Sequence, residues 1–143
     1  YCEEYGCPYP LALAVAQTES NFDMDAVGAS GEVGIMQLNP GPGGSYHAEI
    51  QAATGLDPTT ASGNIAGGCY KLGLYLDTHP NDSEAFALFQ SYVALEKTAM
   101  AYNMGEGGAR SAWDSGITST DYSKAVKEAM ETWECTVNAW GGV

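Results

Sequence analysis

The segment LALAVAQTESNF, residues 11–22, is an apolar stretch that ends beside a carboxylate. Leu11, Val15 and Glu19 are spaced four residues apart, so in an α-helix they lie on one face. A carboxylate at the end of such a buried row loses contact with water, which disfavours its charged form and raises its pKa. The segment therefore predicts a helix that carries an acid with a raised pKa at its end.

Glu19 has two interpretations on spacing alone. A carboxyl group that keeps its proton near neutral pH can act as a general acid. Cleavage of a glycosidic bond needs such an acid, because the leaving oxygen must be protonated. In the simpler interpretation, Glu19 faces water at the helix end and has no catalytic part.

The size and composition of the chain indicate one folded domain. With 143 residues, of which 45% are hydrophobic, the chain can bury a core, and we expect a single domain over residues 1–143. The chain begins with Tyr1 and no signal peptide is visible, so we expect a mature chain or a domain excised from a longer protein. The longest apolar run, Leu11–Ala16, is too short for membrane insertion.

The net charge restricts the partners of the protein. Asp and Glu number 18 against 5 Lys and Arg, which gives a formal net charge of −13. This charge argues against binding to nucleic acid, which depends on cationic contacts to phosphate, and against adsorption to an anionic membrane. A neutral substrate such as a sugar chain is compatible with it, although the acidity also fits a surface that is merely kept soluble.

The cysteines leave the redox state open. There are four of them, an even number: Cys2, Cys7, Cys69 and Cys135. They are compatible with two disulfides in a secreted protein, for which three pairings exist, or with buried reduced thiols. A Cys2–Cys135 bridge is attractive because it would tie the two ends of the chain together. We expect no metal, since C-x-x-C and H-E-x-x-H are absent and His47 and His79 lie far from any cysteine cluster.

The remaining pattern predicts a mostly helical chain with one irregular excursion. Residues 26–46 are rich in glycine, and the alternation over residues 32–38 favours a small strand or hairpin. Helices are predicted on either side of this excursion, with bounds at Pro10–Ser20, Asp57–His79, Ser83–Asn103 and Asp121–Asn138.

Glycines and an apolar stripe give further detail within these helices. Gly67 and Gly68 indicate close packing of the second helix against a neighbour. The third helix is expected to end where glycines interrupt the pattern, at Gly105, Gly107 and Gly108. The last helix carries an apolar stripe formed by Tyr122, Val126, Met130 and Trp133.

A series of short motifs decides between the interpretations of Glu19. In chain order these are VAQTESNF, GEVGIMQLNP, DPTTASGNIAGGCYKL, AMAYNMGEGGARSAW and STDYSKAV. The ordered series resembles the lytic transglycosylase family with the goose-lysozyme-like catalytic domain, over about Leu11 to Val126. The resemblance implies a mainly α, lysozyme-like fold, with a small irregular or β-hairpin excursion after the catalytic helix.

The resemblance also implies roles for individual residues. Glu19 matches the catalytic acid/base. The matched substrate-site residues are Ser20, Met36, Gln37, Tyr102, Asn103 and Tyr122. Ser20 would orient the site, Met36 would shape its floor and Gln37 would supply an amide. Asn103 would bind substrate beside Tyr102, and the hydroxyl of Tyr122 would lie near the acid. Simpler interpretations remain, because Met36 and Tyr102 also fit core positions and Asn103 fits a helix C-cap.

The sequence departs from the family pattern in two segments. The motif A-Y-N-M-G-E-G replaces the more common A-Y-N-A-G-x-G and adds Glu106, and residues 39–44 are unusually rich in Gly and Pro. Contacts of a long saccharide with residues 39–44 are therefore not carried over. The A-Y-N-M-G-E-G-G form resembles peptidoglycan hydrolases of phage particles or conjugation machinery, so a larger phage, secretion or wall-degrading assembly is an expectation.

The family mechanism needs one carboxylate. The acid protonates the oxygen between MurNAc and GlcNAc, and then takes the proton of the C6 hydroxyl that closes a 1,6-anhydro ring. No cofactor is needed. A hydrolytic muramidase would instead use a second carboxylate, and the candidates are Asp23, Asp25 and Glu32, which also fit solvated surface acids.

The resemblance therefore predicts a peptidoglycan lytic transglycosylase, and a muramidase is the alternative. Further alternatives are a glycan-binding module without turnover and a structural lysozyme-like module in a larger assembly. Because peptidoglycan lies outside the cytoplasm, we expect the protein to be extracytoplasmic.

Overall fold

The described part of the chain is mostly helical, with an irregular segment over residues 21–41. The computed structural model describes residues 1–77 and 92–141. Its α-helices are α1 Cys2–Tyr5, α2 Tyr9–Ser20, α3 Ser45–Thr54, α4 Ala61–Asp77, α5 Tyr92–Asp114 and α6 Asp121–Ala139, and a short 3₁₀ turn, Pro42–Gly44, precedes α3. The mainly α, lysozyme-like fold class predicted from the sequence is confirmed. None of the helices within residues 1–77 and 92–141 combines the length and apolarity needed to cross a membrane.

The excursion after α2 contains the β-like pairing that the sequence favoured. Within the described part of the chain it is limited to two antiparallel bridges, which join Val33 to Val27 and to Leu38. The backbone amide and carbonyl of Val33 both bond to Leu38, at 3.1 and 3.0 Å. This small hairpin folds the segment that follows Glu19 back towards α2.

Helix α2 is buried on most of its surface. Leu11, Ala14 and Val15 have no exposed area, as the apolar spacing predicted. The small alanines let α6 pack closely, and α6 also packs against α5. The helix ends at Asn21, which takes a left-handed conformation with φ +52°. This end brings Glu19 to the rim of the core.

The Gly67–Gly68 pair of α4 allows the close packing that was predicted. A Cβ atom on Gly67 would fall 2.7 Å from side-chain carbons of both Ile50 and Leu38, and one on Gly68 would collide with Met36. The neighbours are thus α3 and the hairpin segment. Any side chain at these positions would push α4 away from the hairpin.

The predicted end of the third helix is confirmed in part, because the helical conformation is interrupted at Gly105 but resumes beyond it. Residues 83–91 of that prediction lie outside the described residues, but α5 continues past Asn103 to Asp114. Only Gly105 leaves the helical conformation, with φ +78° and ψ 159°, a region open almost only to glycine. The helix then resumes through Gly107 and Gly108, because Ala109 is fully buried and anchors the next turn.

The last helix agrees with its prediction, whereas α1 and α3 were missed. In α6, Val126 and Met130 are 0% and 5% exposed, as expected for its apolar stripe. In α3, Ile50 is the single buried residue, so the sequence has no apolar period to reveal it. Helix α1 spans four residues, none of them buried.

A Cys2–Cys135 bridge is not formed, and all four cysteines are free thiols. Cys135 is exposed on α6, whereas the sulfur of Cys2 lies 3.7 Å from that of Cys69 on α4. The reason is that α1 packs on α4 while α6 packs on α2 and α5. The two ends of the chain therefore pack against different helices.

Candidate functional site

The central contact of the site joins the end of α2 to the start of α6. The hydroxyl of Tyr122 donates a hydrogen bond of 2.6 Å to Oε1 of the half-buried Glu19. Tyr122 is held in the first turn of α6 by a capping box, in which Thr120 and Ser123 exchange hydrogen bonds between side chain and backbone. The helix start therefore fixes the phenol against the acid.

The environment of Glu19 keeps its proton bound more tightly than usual. Burial raises the pKa of Glu19, and the Glu32 carboxylate adds to the rise. The hydrogen bond from Tyr122 and the charge of Lys71 both lower this pKa, but the net shift is upward. The raised pKa inferred from the apolar row is confirmed in direction. Burial, and next the Glu19 charge, raise the pKa of Tyr122, so its hydroxyl remains a donor.

Ser20 ties the hairpin segment to α2. Its hydroxyl donates a bond of 2.8 Å to the carbonyl of Ile35 and accepts one of 3.1 Å from the amide of Asp23. Both bonds are to backbone, so Ser20 holds the hairpin segment against the end of α2.

Met36 lies in this segment and is held from both sides. Its side chain is 2% exposed and lies in the core, so the expected role in the floor of the site stays a prediction. Its amide donates to Oδ1 of Asn64 at 2.8 Å, and its carbonyl accepts from the Tyr102 hydroxyl at 2.7 Å. Tyr102, which was expected to line the cleft, is 6% exposed, and its hydroxyl is engaged in this hydrogen bond to Met36.

Asn64 is a structural centre for which no role was predicted from the sequence. It is fully buried on α4, and its amide nitrogen donates to the carbonyls of Val33 and Pro58 at 2.9 and 3.0 Å. Together with the bond from Met36, it joins α4 to both sides of the hairpin. The position of Asn64 in the D-P…N-I motif is the sequence feature that could have indicated this role.

Gln37 uses its amide group within the protein. The residue has φ +47°, and its Nε2 atom donates to the carbonyls of Ala26 and Gly34 at 3.0 and 2.9 Å. The amide expected to meet substrate is thus engaged in holding the hairpin segment. The conformation is strained for a residue with a Cβ, so these bonds also stabilise it.

An open groove of about 1060 Å³ runs between α3, α4 and α5. Its polar lining includes Asn39, Glu49, Lys71, Asn103 and Glu106. Asn103 is exposed there, in the last helical turn before the Gly105 kink, so it is available to a ligand. Glu19 is not part of this lining, but Lys71 and Tyr102 are, and both interact electrostatically with Glu19.

Lys71 is a site residue that the sequence analysis missed. Its ammonium lies 5.0 Å from the ring centroid of Tyr102 and 6.0 Å from that of Tyr75. Burial lowers the pKa of Lys71, and the Glu19 charge partly offsets this. The sequence feature that could have indicated Lys71 is its position as the single cationic residue of the mostly apolar α4, in a chain with 5 Lys and Arg residues.

The candidate second acids differ in their relation to Glu19. Asp23 and Asp25 are both exposed, and the amide of Asp25 donates to Oδ1 of Asp23 at 2.9 Å. Glu32 is half-buried, accepts from the amide of Ser30 at 3.0 Å and raises the pKa of Glu19. Of the three, Glu32 is therefore the one whose charge acts on the pKa of Glu19.

Comparison with protein families gives a match over most of the chain. The family described as the transglycosylase SLT domain matches residues 1–124, which include every site residue discussed above. A search of curated proteins finds no match.

Proposed function

Since the chain belongs to the transglycosylase SLT domain family, which acts on peptidoglycan, we propose that it is a lytic transglycosylase with Glu19 as its single acid/base. It cleaves the MurNAc-β-1,4-GlcNAc bond and leaves 1,6-anhydroMurNAc ends. The observation that carries the proposal is the half-buried Glu19 with a raised pKa, oriented by the Tyr122 hydroxyl at 2.6 Å.

The first step is proton donation. Protonated Glu19 gives its proton to the glycosidic oxygen, and the C1–O bond of MurNAc breaks. The MurNAc acetamide stabilises the cation that forms at C1. The new Glu19 carboxylate keeps the Tyr122 hydrogen bond and gains from the charge of Lys71. Both contacts favour the ionised form, so they stabilise the acid after it has lost its proton.

The second step returns the proton. The Glu19 carboxylate takes the proton of the MurNAc C6 hydroxyl, whose oxygen attacks C1 and closes the anhydro ring. The catalyst ends in its starting state, and neither water nor a cofactor enters the balance. Because the substrate lies outside the cytoplasm, we place the enzyme there, in a larger wall-degrading, phage or secretion assembly.

A muramidase is the second candidate, and the position of Glu32 favours it. The Glu32 carboxylate is near enough to raise the pKa of Glu19, and a second carboxylate across the sugar is what hydrolysis requires. The Glu32 carboxylate also has a structural contact, because it accepts a hydrogen bond from the Ser30 amide. A binding module or structural module without turnover is disfavoured, since binding alone has no need for an acid kept protonated.

Mass spectrometry of the muropeptides released from purified peptidoglycan tests the proposal, with Glu19→Gln as control. We expect products one water lighter than reducing muropeptides, carrying anhydroMurNAc, from the wild type and none from the variant. Reducing MurNAc ends would establish the muramidase. An absence of products from both proteins, with retained binding of oligosaccharide, would identify the binding module, and the loss of binding as well would identify the structural module.

A further inference from the structure

Three of the four cysteines meet on the side of α4 that faces α1. The sulfur atoms of Cys2, Cys7 and Cys69 all lie within 4.8 Å of one another. Cys69 and Cys7 are 1% and 4% exposed, whereas Cys2 is partly exposed. The cluster thus has two buried members and one member that solvent can reach. Among the residues that the structure describes, no His, Asp or Glu joins the group.

The local fold is built to bring these sulfurs together. The turn after α1 is closed by Gly6, whose φ of +67° lets the amide of Cys7 bond to the carbonyl of Cys2 at 2.9 Å. On α4, Gly73 lies one turn beyond Cys69 and has no room for a Cβ, because the carbonyl of Tyr5 occupies that space. Helix α1 therefore lies directly against the face of α4 that carries Cys69.

We propose that Cys2, Cys7 and Cys69 bind one thiophilic d¹⁰ cation of the Zn²⁺ class as thiolates, with the fourth coordination position open to solvent beside Cys2. The sulfurs of Cys2 and Cys69 are 3.7 Å apart. A tetrahedral zinc–thiolate site with bonds of about 2.3 Å has sulfur–sulfur edges of about 3.8 Å. A disulfide would need about 2.05 Å. Binding releases a proton from each thiol that is not already ionised.

The bound ion would hold α1 against α4. An isolated helix of four residues is unstable, and α1 buries no residue of its own. Three metal–sulfur bonds would join α1 and its turn to α4, the helix that also carries Asn64 and Lys71. This site could not be predicted from the sequence, because its ligands come from a C-x₄-C turn and from a residue on a distant helix, and not from a C-x-x-C pair. The site is independent of the proposed glycan chemistry.

Metal titration of the reduced, chelator-treated full chain tests the proposal. We expect Cd²⁺ to produce a thiolate charge-transfer band that saturates at one equivalent, Zn²⁺ to displace it, and either ion to raise the thermal unfolding midpoint. Cys2→Ser, Cys7→Ser and Cys69→Ser should each weaken binding by at least the roughly tenfold typical of lost supporting contacts at metal sites. Cys135→Ser is the matched control and should bind like the wild type, since Cys135 is exposed on α6.

Circular dichroism of each metal-free variant separates lost binding from lost folding, and the partly exposed Cys2 is the position least able to disturb the core. No saturable Cd²⁺ band in a folded wild type would overturn the proposal, as would unchanged binding in folded Cys2→Ser. The proposal would also fail if protein purified without air or reductant were two hydrogen atoms lighter and lacked two of its thiols, because that result identifies a disulfide within the cluster.

Discussion

The hairpin segment that Ser20 ties to α2 and the groove between α3, α4 and α5 use polar side chains in opposite ways. Around the hairpin segment, the side chains of Ser20, Gln37 and Asn64 all bond to backbone atoms of the protein. In the groove, Asn103 is exposed and Lys71 lies over aromatic rings. The first set of residues thus supports the local fold, and we expect the second set to be available to a sugar chain.

This difference distinguishes residues that support the site from residues that are expected to contact substrate. We expect a residue that supports the hairpin segment to be essential even without touching substrate, because it stabilises the backbone close to Glu19. We expect an exposed groove residue such as Asn103 to be replaceable without loss of folding, and its loss to weaken substrate binding. The pair Asn64 and Asn103 provides a direct test, since the same residue type occurs on neighbouring helices in the two regions.

The largest effect on stability is expected from Asn64→Ala. The change removes three hydrogen bonds and leaves the buried Met36 amide and Pro58 carbonyl without this partner, whereas the Val33 carbonyl keeps its bond within the hairpin. Unsatisfied buried groups cost roughly 1–3 kcal/mol each, and we expect a loss of about 3 kcal/mol in the free energy of unfolding. Urea denaturation measures it. Asn103→Ala is the control and should change stability by less than about 0.5 kcal/mol; equal losses in both variants would erase the distinction.

The next effect concerns substrate binding, and here Asn103, and not Asn64, is the residue whose replacement should matter. Asn103→Ala should raise KM for glycan strands about fivefold, the value of one hydrogen bond, with kcat nearly unchanged. Steady-state kinetics on soluble strands gives both constants. An unchanged KM would remove Asn103 from the binding surface and transfer that function elsewhere in the groove.

The smallest effect is a shift in the pH profile from Lys71→Met. The Lys71 charge lowers the pKa of Glu19, so its removal raises that pKa further. Because Glu19 must be protonated to act, the rate falls as pH rises through its pKa, and the variant should retain activity to higher pH than the wild type. Lys97→Met is the matched control, since Lys97 also lies over an aromatic ring, Trp113, at 5.5 Å. A shift towards lower pH in Lys71→Met would contradict this reasoning.

The sequence predicted those features that depend on local spacing. The apolar row that ends at Glu19 and the stripe of α6 follow from the helical period, and both were confirmed. The raised pKa of Glu19 followed from the same row. The contact between Tyr122 and Glu19 was implied by the family resemblance and not by spacing, because these residues are far apart in the chain.

Features that depend on tertiary contacts could not be predicted. Helix α3 buries little, so no period marks it, and α5 continues beyond Gly105 because its next turn is anchored in the core. The position of Lys71 beside Glu19 requires α4 to pack against the end of α2. The thiol cluster, likewise, requires α1 to pack on α4.

The use of a single carboxylate is tested most directly by comparing Glu19→Gln with Glu32→Gln in the rate of muropeptide release from purified peptidoglycan. Both changes replace a half-buried carboxylate by an amide of the same shape. We expect Glu19→Gln to lose at least about 10²-fold in rate while remaining folded, and Glu32→Gln to stay within about threefold of the wild type with anhydroMurNAc products. Losses of similar size in the two variants would contradict the single-carboxylate mechanism and establish Glu32 as the second acid.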